Sequence, residues 1–286
     1  MSNGPLASYS KLQKRFSKDV LNEDNRGLIG ECVRGALKDL KNKKKIDLRS
    51  LVPQKEYFAF SEKKKSSRAV NKSLFLDDPK EWDDFSAALT KNQFGKFSVE
   101  RITKVIYSAA ISFCCYVDIH KERDLKTPAT FFEYLIGYLF ARRLGVNPTT
   151  KLPVLNIDMK TTLPTDFVFD LGKDKPKFHL PVKISTRERV IQVWAHQRVL
   201  DGVYGTGRFL GTPVILTETK TDQRKKEVIE ICLPDQWRIY QMHIAQLKRI
   251  YYLDVPVTYD RLNLVFPRLS VKSFGHFFFE LDSLMG

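Results

Sequence analysis

The stretch PTDFVFDLGKDKPKFHLPVKISTRERV, residues 164 to 190, constrains this chain more than any other. Two apolar runs flank GKDKPK, whose Gly, Asp and Pro suit a turn, so the segment reads as a β-hairpin. Folded symmetrically about that turn, it sets Asp166 directly opposite Lys183. Strand side chains alternate between faces. Phe167, Phe169 and Leu171 therefore share one wholly apolar face with Leu180, Val182 and Ile184, while Asp166 and Lys183 share the other with Ser185. A carboxylate and an ammonium at the open end of such a hairpin can be an ordinary cross-strand ion pair, worth about 0.2–1 kcal/mol when exposed. The residues just after Lys183 give the pair a second meaning. Ser185 and Glu188 have the spacing of a capping box, predicting a helix from about Thr186. Its first turn carries Arg187, Glu188 and Arg189. Arginine pairs with guanine O6 and N7 and a carboxylate accepts from cytosine N4, so this turn is equipped to read G·C pairs in a major groove.

Charge supports a polyanionic partner. The chain of 286 residues carries 48 Lys and Arg against 33 Asp and Glu, a formal charge of +15, and nucleic acid is the first candidate. Its length suffices for a large core, or for a core domain with a smaller companion. The apolar run at 107 to 117 is short for a membrane span, and the N-terminus lacks the apolar region of a signal peptide. We therefore expect a cytoplasmic protein whose four cysteines are free thiols.

The first ninety or so residues read as helices and basic loops, with lysine clusters at 41–45 and 62–68 that suit solvated loops. From Ser98, an N-cap, an apolar helix runs to about Val117. A second helix is punctuated by Thr127 as N-cap, Pro128 at its first position, and Gly145 and Pro148 beyond its end. Within it Glu133 is a lone carboxylate among apolar residues, which requires either an exposed stripe or a charged partner. Further on, 211–219 and 226–233 read as strands, RIYQMHIAQLKRIYYL as a helix or a helix then a strand, and SFGHFFFEL as a core strand. The glycines of GVYGTGRFLG precede a strand instead of linking a strand to a helix, which excludes a nucleotide-binding loop. There is no HExxH, paired CxxC or GxSxG, which argues against zinc hydrolases and serine esterases.

Taken together, TDFVFD, then PVK, then KISTRERVIQV resembles the PD-(D/E)XK nucleases, and within them the type II restriction endonucleases that cut CCGG or CCNGG sites. The resemblance spans roughly residues 98 to 218. It implies metal-assisted phosphodiester hydrolysis with Mg²⁺, with Asp166 as a metal ligand, Lys183 as the catalytic lysine, and Ser185, Arg187, Glu188 and Arg189 contacting DNA bases. Gln192 and Val193 also resemble some members, and TPATFFEYLIGYL with Glu133 looks like the upstream glutamate helix.

One departure stands out. The acidic residue expected two before the lysine is Pro181, and the alternative glutamate position in the next helix holds His196, with Gln197 beside it. Three outcomes are open: Glu133 supplies the second acidic ligand, Gln197 or His196 replaces it, or the site is degenerate and the protein only binds DNA. Because Mg²⁺ prefers oxygen, Glu133 ranks before Gln197 and His196 last.

The expected architecture is α/β (α+β), a central mixed sheet with flanking helices of the restriction-endonuclease-like type. A helical, basic N-terminal region at 1–95 precedes the catalytic domain at 96–286. Double-stranded DNA is the expected partner, a homodimer is the economical arrangement for a palindromic site, and a cognate DNA methyltransferase would be a separate protein.

Overall fold

In the computed structural model, residues 4–154, 161–173 and 175–285 are described. The chain divides into two compact units, Met1–Leu139 with Thr219–Ile231, and Phe140–Glu218 with Cys232–Gly286. The boundary falls inside one helix.

The first unit begins with α1 (Pro5–Phe16) and α2 (Glu23–Leu40), followed by the strands β1 (Lys44–Ser50), β2 (Tyr57–Glu62), β3 (Lys65–Ser66) and β4 (Val70–Asn71). Helices α3 (Lys80–Thr90), α4 (Val99–His120) and α5 (Lys126–Leu144) come next. The second unit adds β5 (Thr149–Pro153), β6 (Thr162–Phe169), β7 (Lys177–Leu180), β8 (Val182–Lys183), α6 (Ile191–Tyr204), β9 (Phe209–Gly211) and β10 (Val214–Ile215). The chain returns to the first unit for β11 (Thr219–Asp222) and β12 (Glu227–Glu230). It ends in the second with α7 (Pro234–His243), β13 (Ile250–Tyr252), α8 (Val257–Val265), β14 (Val271–Ser273) and α9 (Leu281–Met285). This is the expected mixed α/β architecture.

Beside the expected N-terminal helices lies a sheet, ordered β11-β12-β1-β2-β3 with β4 on β2. The lysine clusters thus flank strands as well as loops: Lys43, just before β1, pairs with Glu62 at the end of β2 at 2.8 Å. Ser98 caps α4 by accepting the Arg101 N–H at 3.1 Å. By length and composition α4 could cross a membrane, yet 83% of its apolar window is buried, which makes it the core helix of its unit. Phe113 on α4 stacks on Phe131 of α5 with centroids 4.0 Å apart. The start of α5 differs from expectation. Thr127 is not its cap: Asp124 accepts the Thr127 N–H at 2.9 Å and hydroxyl at 2.6 Å, because a carboxylate one turn earlier offers two acceptors to the helix end. Gly145 closes α5 as expected, at φ +73° with its N–H on Ala141 C=O.

The second unit contains two four-stranded sheets, β5-β6-β7-β9 and β14-β13-β10-β8. The first is antiparallel except for the parallel β7–β9 pair, and the second is parallel. β7 runs into β8 through Pro181, and β9 into β10 through Thr212 and Pro213. Proline has no N–H to give to a ladder, so each strand breaks there and bends into the other sheet. The pairing of the two strands nevertheless keeps one offset: His179 faces Gly211 before the break and Val182 faces Val214 after it. Phe169 on β6 packs against Phe140, and Phe140 against Phe277 at 3.9 Å between centroids. SFGHFFFEL is a 3₁₀ turn (Phe274–Phe278) instead of a strand, because its rings fill this core from successive positions around a turn. RIYQMHIAQLKRIYYL takes the second of its two readings, as most of α7 and then β13.

Candidate active site

The hairpin forms with a longer turn than symmetry about GKDKPK suggested. Phe167 pairs with Leu180, Val168 with His179 and Phe169 with Phe178, two residues away from the expected register, so Asp166 does not face Lys183 across the ladder. The cause is at the turn, where Asp170 accepts the Gly172 N–H at 3.0 Å and binds the Lys177 ammonium at 2.6 Å, closing a wider loop. A shift by two keeps every side chain on its own face. Phe167, Phe169, Phe178 and Leu180 remain on the apolar side, and Asp166 and Lys183 still meet. Oδ2 of Asp166 accepts the Val182 N–H at 2.8 Å and the Lys183 Nζ at 2.7 Å. Pro181 ends β7 and turns the next N–H, that of Val182, toward the aspartate. Asp166 Oδ1 accepts no bond among the described residues.

A cavity of about 170 Å³ lies against this pair, lined by Pro164, Thr165, Asp166, His179, Pro181, Lys183, Gln192, Val193 and His196. His196 is thus brought to Asp166 and Lys183. Burial, and then the Lys183 charge, lower its pKa. Gln197 turns the other way: its Nε2 donates to Asp201 Oδ1 and to Phe209 C=O, both at 2.9 Å, and its Oε1 faces His179 Nδ1 at 3.2 Å. His179 is fully buried, and burial depresses its pKa to about 4, which keeps the ring neutral. Glu133 lies on the part of α5 that belongs to the first unit, half-buried and electrostatically coupled to Tyr134 and Tyr9.

The segment after Lys183 also differs from the capping-box expectation. A 3₁₀ turn, Arg187–Val190, precedes α6, and Thr186 is its N-cap position. Ser185 Oγ is buried without a hydrogen-bond partner among the described residues, and the side chain of Glu188 lies outside them. The acceptor that holds this turn comes from elsewhere. Glu218, 1% exposed, takes the Thr186 N–H at 2.9 Å and hydroxyl at 2.5 Å, together with the Arg187 N–H and the Tyr252 hydroxyl. A buried acceptor with four donors outcompetes a serine hydroxyl with one. Burial still raises the Glu218 pKa, with the Thr186 bonds opposing. Arg187, at φ +44°, and Arg189 are exposed.

Two residues of this site escaped the sequence reading. Glu218 ends an apolar run, PVILTE, and His179 interrupts another, FHLPV; a polar residue at a buried strand position is the signal for both.

No protein-family model matches the chain, and no curated protein sequence matches it. Among solved structures, the crystal structure of the type IIP restriction endonuclease Kpn2I is similar over 98% of this chain and 95% of that chain, with 27% sequence identity and a TM-score of 0.82. A complex of the restriction endonuclease PspGI with its substrate DNA is similar over 72% of this chain and 78% of that one, at 14% identity and a TM-score of 0.41, a likeness too distant to bear on the site. The chain has the fold of a type II restriction endonuclease. Its similarity to Kpn2I extends over both units, well beyond the residues that suggested the class.

Proposed function

We propose that the chain is a type II site-specific deoxyribonuclease that hydrolyses double-stranded DNA with Mg²⁺, at a short C/G-rich palindrome, as part of a restriction-modification system. The observation that carries this reading is the 2.7 Å Lys183–Asp166 contact beside a cavity, followed within one turn by two exposed arginines, in a fold shared with Kpn2I.

The residues fit the cation. Asp166 Oδ1 is a carboxylate oxygen beside the cavity, and Mg²⁺ is commonly held by one or two carboxylates, waters and substrate phosphates instead of a protein cage. Among the described residues no three His, Cys, Asp or Glu side chains cluster as such a cage. Asp166 would hold the ion; His196 lines the same cavity, whereas the Gln197 amide is spent on His179, Asp201 and Phe209. When bound, Mg²⁺ supplies Lewis-acid stabilisation of phosphate charge and makes water more acidic. Lys183, aimed by its bond to Asp166, offsets the negative charge that grows on the phosphate and orients the attacking water. Arg187 and Arg189, with Ser185 and Glu188, form the base-reading segment. Two copies of the chain would present two such centres to the two strands, and a separate methyltransferase would protect the host's DNA in the cytoplasm.

Plasmid DNA incubated with the protein, with and without Mg²⁺, tests the proposal. A reproducible set of discrete fragments, formed only with Mg²⁺, is the expected result. Intact DNA alongside retained sequence-specific binding would overturn it in favour of a non-catalytic DNA-binding protein.

A further inference from the structure

The closed end of the β6–β7 hairpin holds another cavity, of about 540 Å³, away from the Asp166–Lys183 pair. Four cations line it: Lys173, Lys175, Lys177 and Arg208. The carboxylate in the same lining, Asp170, is already spent, with Oδ1 on the Gly172 N–H at 3.0 Å and Oδ2 on the Lys177 ammonium at 2.6 Å. Lys173, Lys175 and Arg208 are exposed and have no ion-pair partner among the described residues. Even with Asp174, whose placement lies outside the described residues, counted against them, the cations outnumber the carboxylates four to two. The backbone beneath them is fixed. Lys177 donates its N–H to the Arg208 C=O at 2.9 Å across the parallel β7–β9 pair. The turn that delivers Arg208 to β9 passes through Gly205 and Gly207, at φ +96° and +83°, values that glycine adopts without strain. Tyr204 and Phe209, with ring centroids 5.1 Å apart, add an apolar wall. A concave arrangement lets several cations converge on one anion, which scattered surface lysines cannot do. Asp170 stands four residues along the chain from Asp166, about 13 Å in a strand, so an anion seated here is not the phosphate at the hydrolytic centre.

We propose that this cavity is a further DNA contact, which seats backbone phosphates of duplex DNA outside the bases that are read. Arg208 engages phosphate oxygens through the fork of its guanidinium, and Lys173 and Lys175 act as point charges. Such contacts carry no sequence information; they set the register of the protein on the duplex and supply affinity that falls with salt as counterions are released. Duplex DNA is the occupant that matches both the formal charge of +15 and the proposed substrate. This inference rests on the DNA-binding part of the reading above and extends it to phosphates remote from the centre.

Binding of a fluorescent duplex of arbitrary sequence, followed by anisotropy in EDTA over a series of salt concentrations, tests the contact. Combining Lys175→Ala with Arg208→Ala should reduce the slope of log affinity against log salt by about two, with the thermal midpoint near wild type. The charge-keeping pair Lys175→Arg with Arg208→Lys should restore most of the slope. Lys14→Ala with Lys18→Ala, which removes two exposed charges from α1, should leave it near wild type. The proposal is overturned if the Lys175 and Arg208 alanine pair keeps the wild-type slope, if the α1 pair loses as much, or if the charge-keeping pair fails to recover. Loss of inorganic phosphate binding with DNA binding untouched would make the cavity an anion site of another kind and overturn it as well. Wild-type protein that does not bind duplex DNA would remove the nuclease reading and this contact together. Binding without cleavage in Mg²⁺ would remove the nuclease reading alone, and the expected slopes would still support the contact.

Discussion

The Asp166–Lys183 pair and the Arg187–Val190 turn are only a few residues apart, yet they are held in different ways. The pair is fixed by backbone: β6 is laddered to β7, β8 to β10, and Pro181 directs the Val182 N–H onto the aspartate. The turn is fixed by one side chain from a distant strand end, Glu218, which collects the donors of Thr186 and Arg187. Backbone ladders resist small sequence changes because each residue contributes alike. A single buried carboxylate concentrates the same task in one position. The Asp166–Lys183 pair is thus held by many small contributions, whereas the Arg187–Val190 turn can be altered without touching the sheet.

Substitutions can break or sharpen that contrast. The largest effect belongs to the pair: Lys183→Ala or Asp166→Ala should reduce cleavage at least about 100-fold in single-turnover assays, with DNA binding retained in gel-shift measurements. Next, Arg187→Ala and Arg189→Ala should each cost about 1–3 kcal/mol of discrimination, seen as a smaller ratio of cognate to mismatched cleavage with the chemistry intact.

Glu218→Ala should lower stability in urea by about 1–3 kcal/mol, since it strands the buried Thr186 and Tyr252 donors, and should relax specificity before it slows cleavage. If cleavage falls first, the two regions are not separately held. Glu218 also has a pH signature. Its folded pKa is raised above the ordinary value of 4.5, so the folded protein holds this proton more tightly than the unfolded chain does. The resulting stability is present below pH 4.5 and declines as pH rises through the raised value; in Glu218→Gln that part of the slope should vanish from pH-dependent urea melts. The smallest effect is expected at the far end of the hairpin. Lys177→Ala breaks an exposed pair with Asp170, for which urea titration should show a change of about 0–1 kcal/mol.

Local patterning explains what could be read from the chain in advance. The apolar alternation of 167–171 and 178–184, the Ser98 cap and Gly145 are short-range signals, and they led to the hairpin, to α4 and to the end of α5. Even the register error was harmless to the site, because a shift by two preserves the side of the sheet on which Asp166 and Lys183 stand. Turn width was not legible, since it depends on Asp170 reaching Lys177. The hold on Thr186 depends on Glu218, thirty-two positions later, and that on the His179 ring on Gln197, eighteen positions later. Contacts at such separations leave no periodicity in the sequence. One edge of the N-terminal sheet was hidden for the same reason: β1 takes β12, from the later part of the chain, as one of its two partners.

The constant offset between β7–β8 and β9–β10, kept through both prolines, restricts how this chain can change length. A residue gained or lost in the exposed segment around Gly205 and Gly207 leaves the ladder in phase. The same event between Lys177 and Lys183 would rotate the lysine to the far side of its strand, into the packed aromatic layer, and part it from Asp166 while most of the protein stayed folded. Length variation among descendants of this chain should therefore gather in that segment and spare the seven positions that end at Lys183.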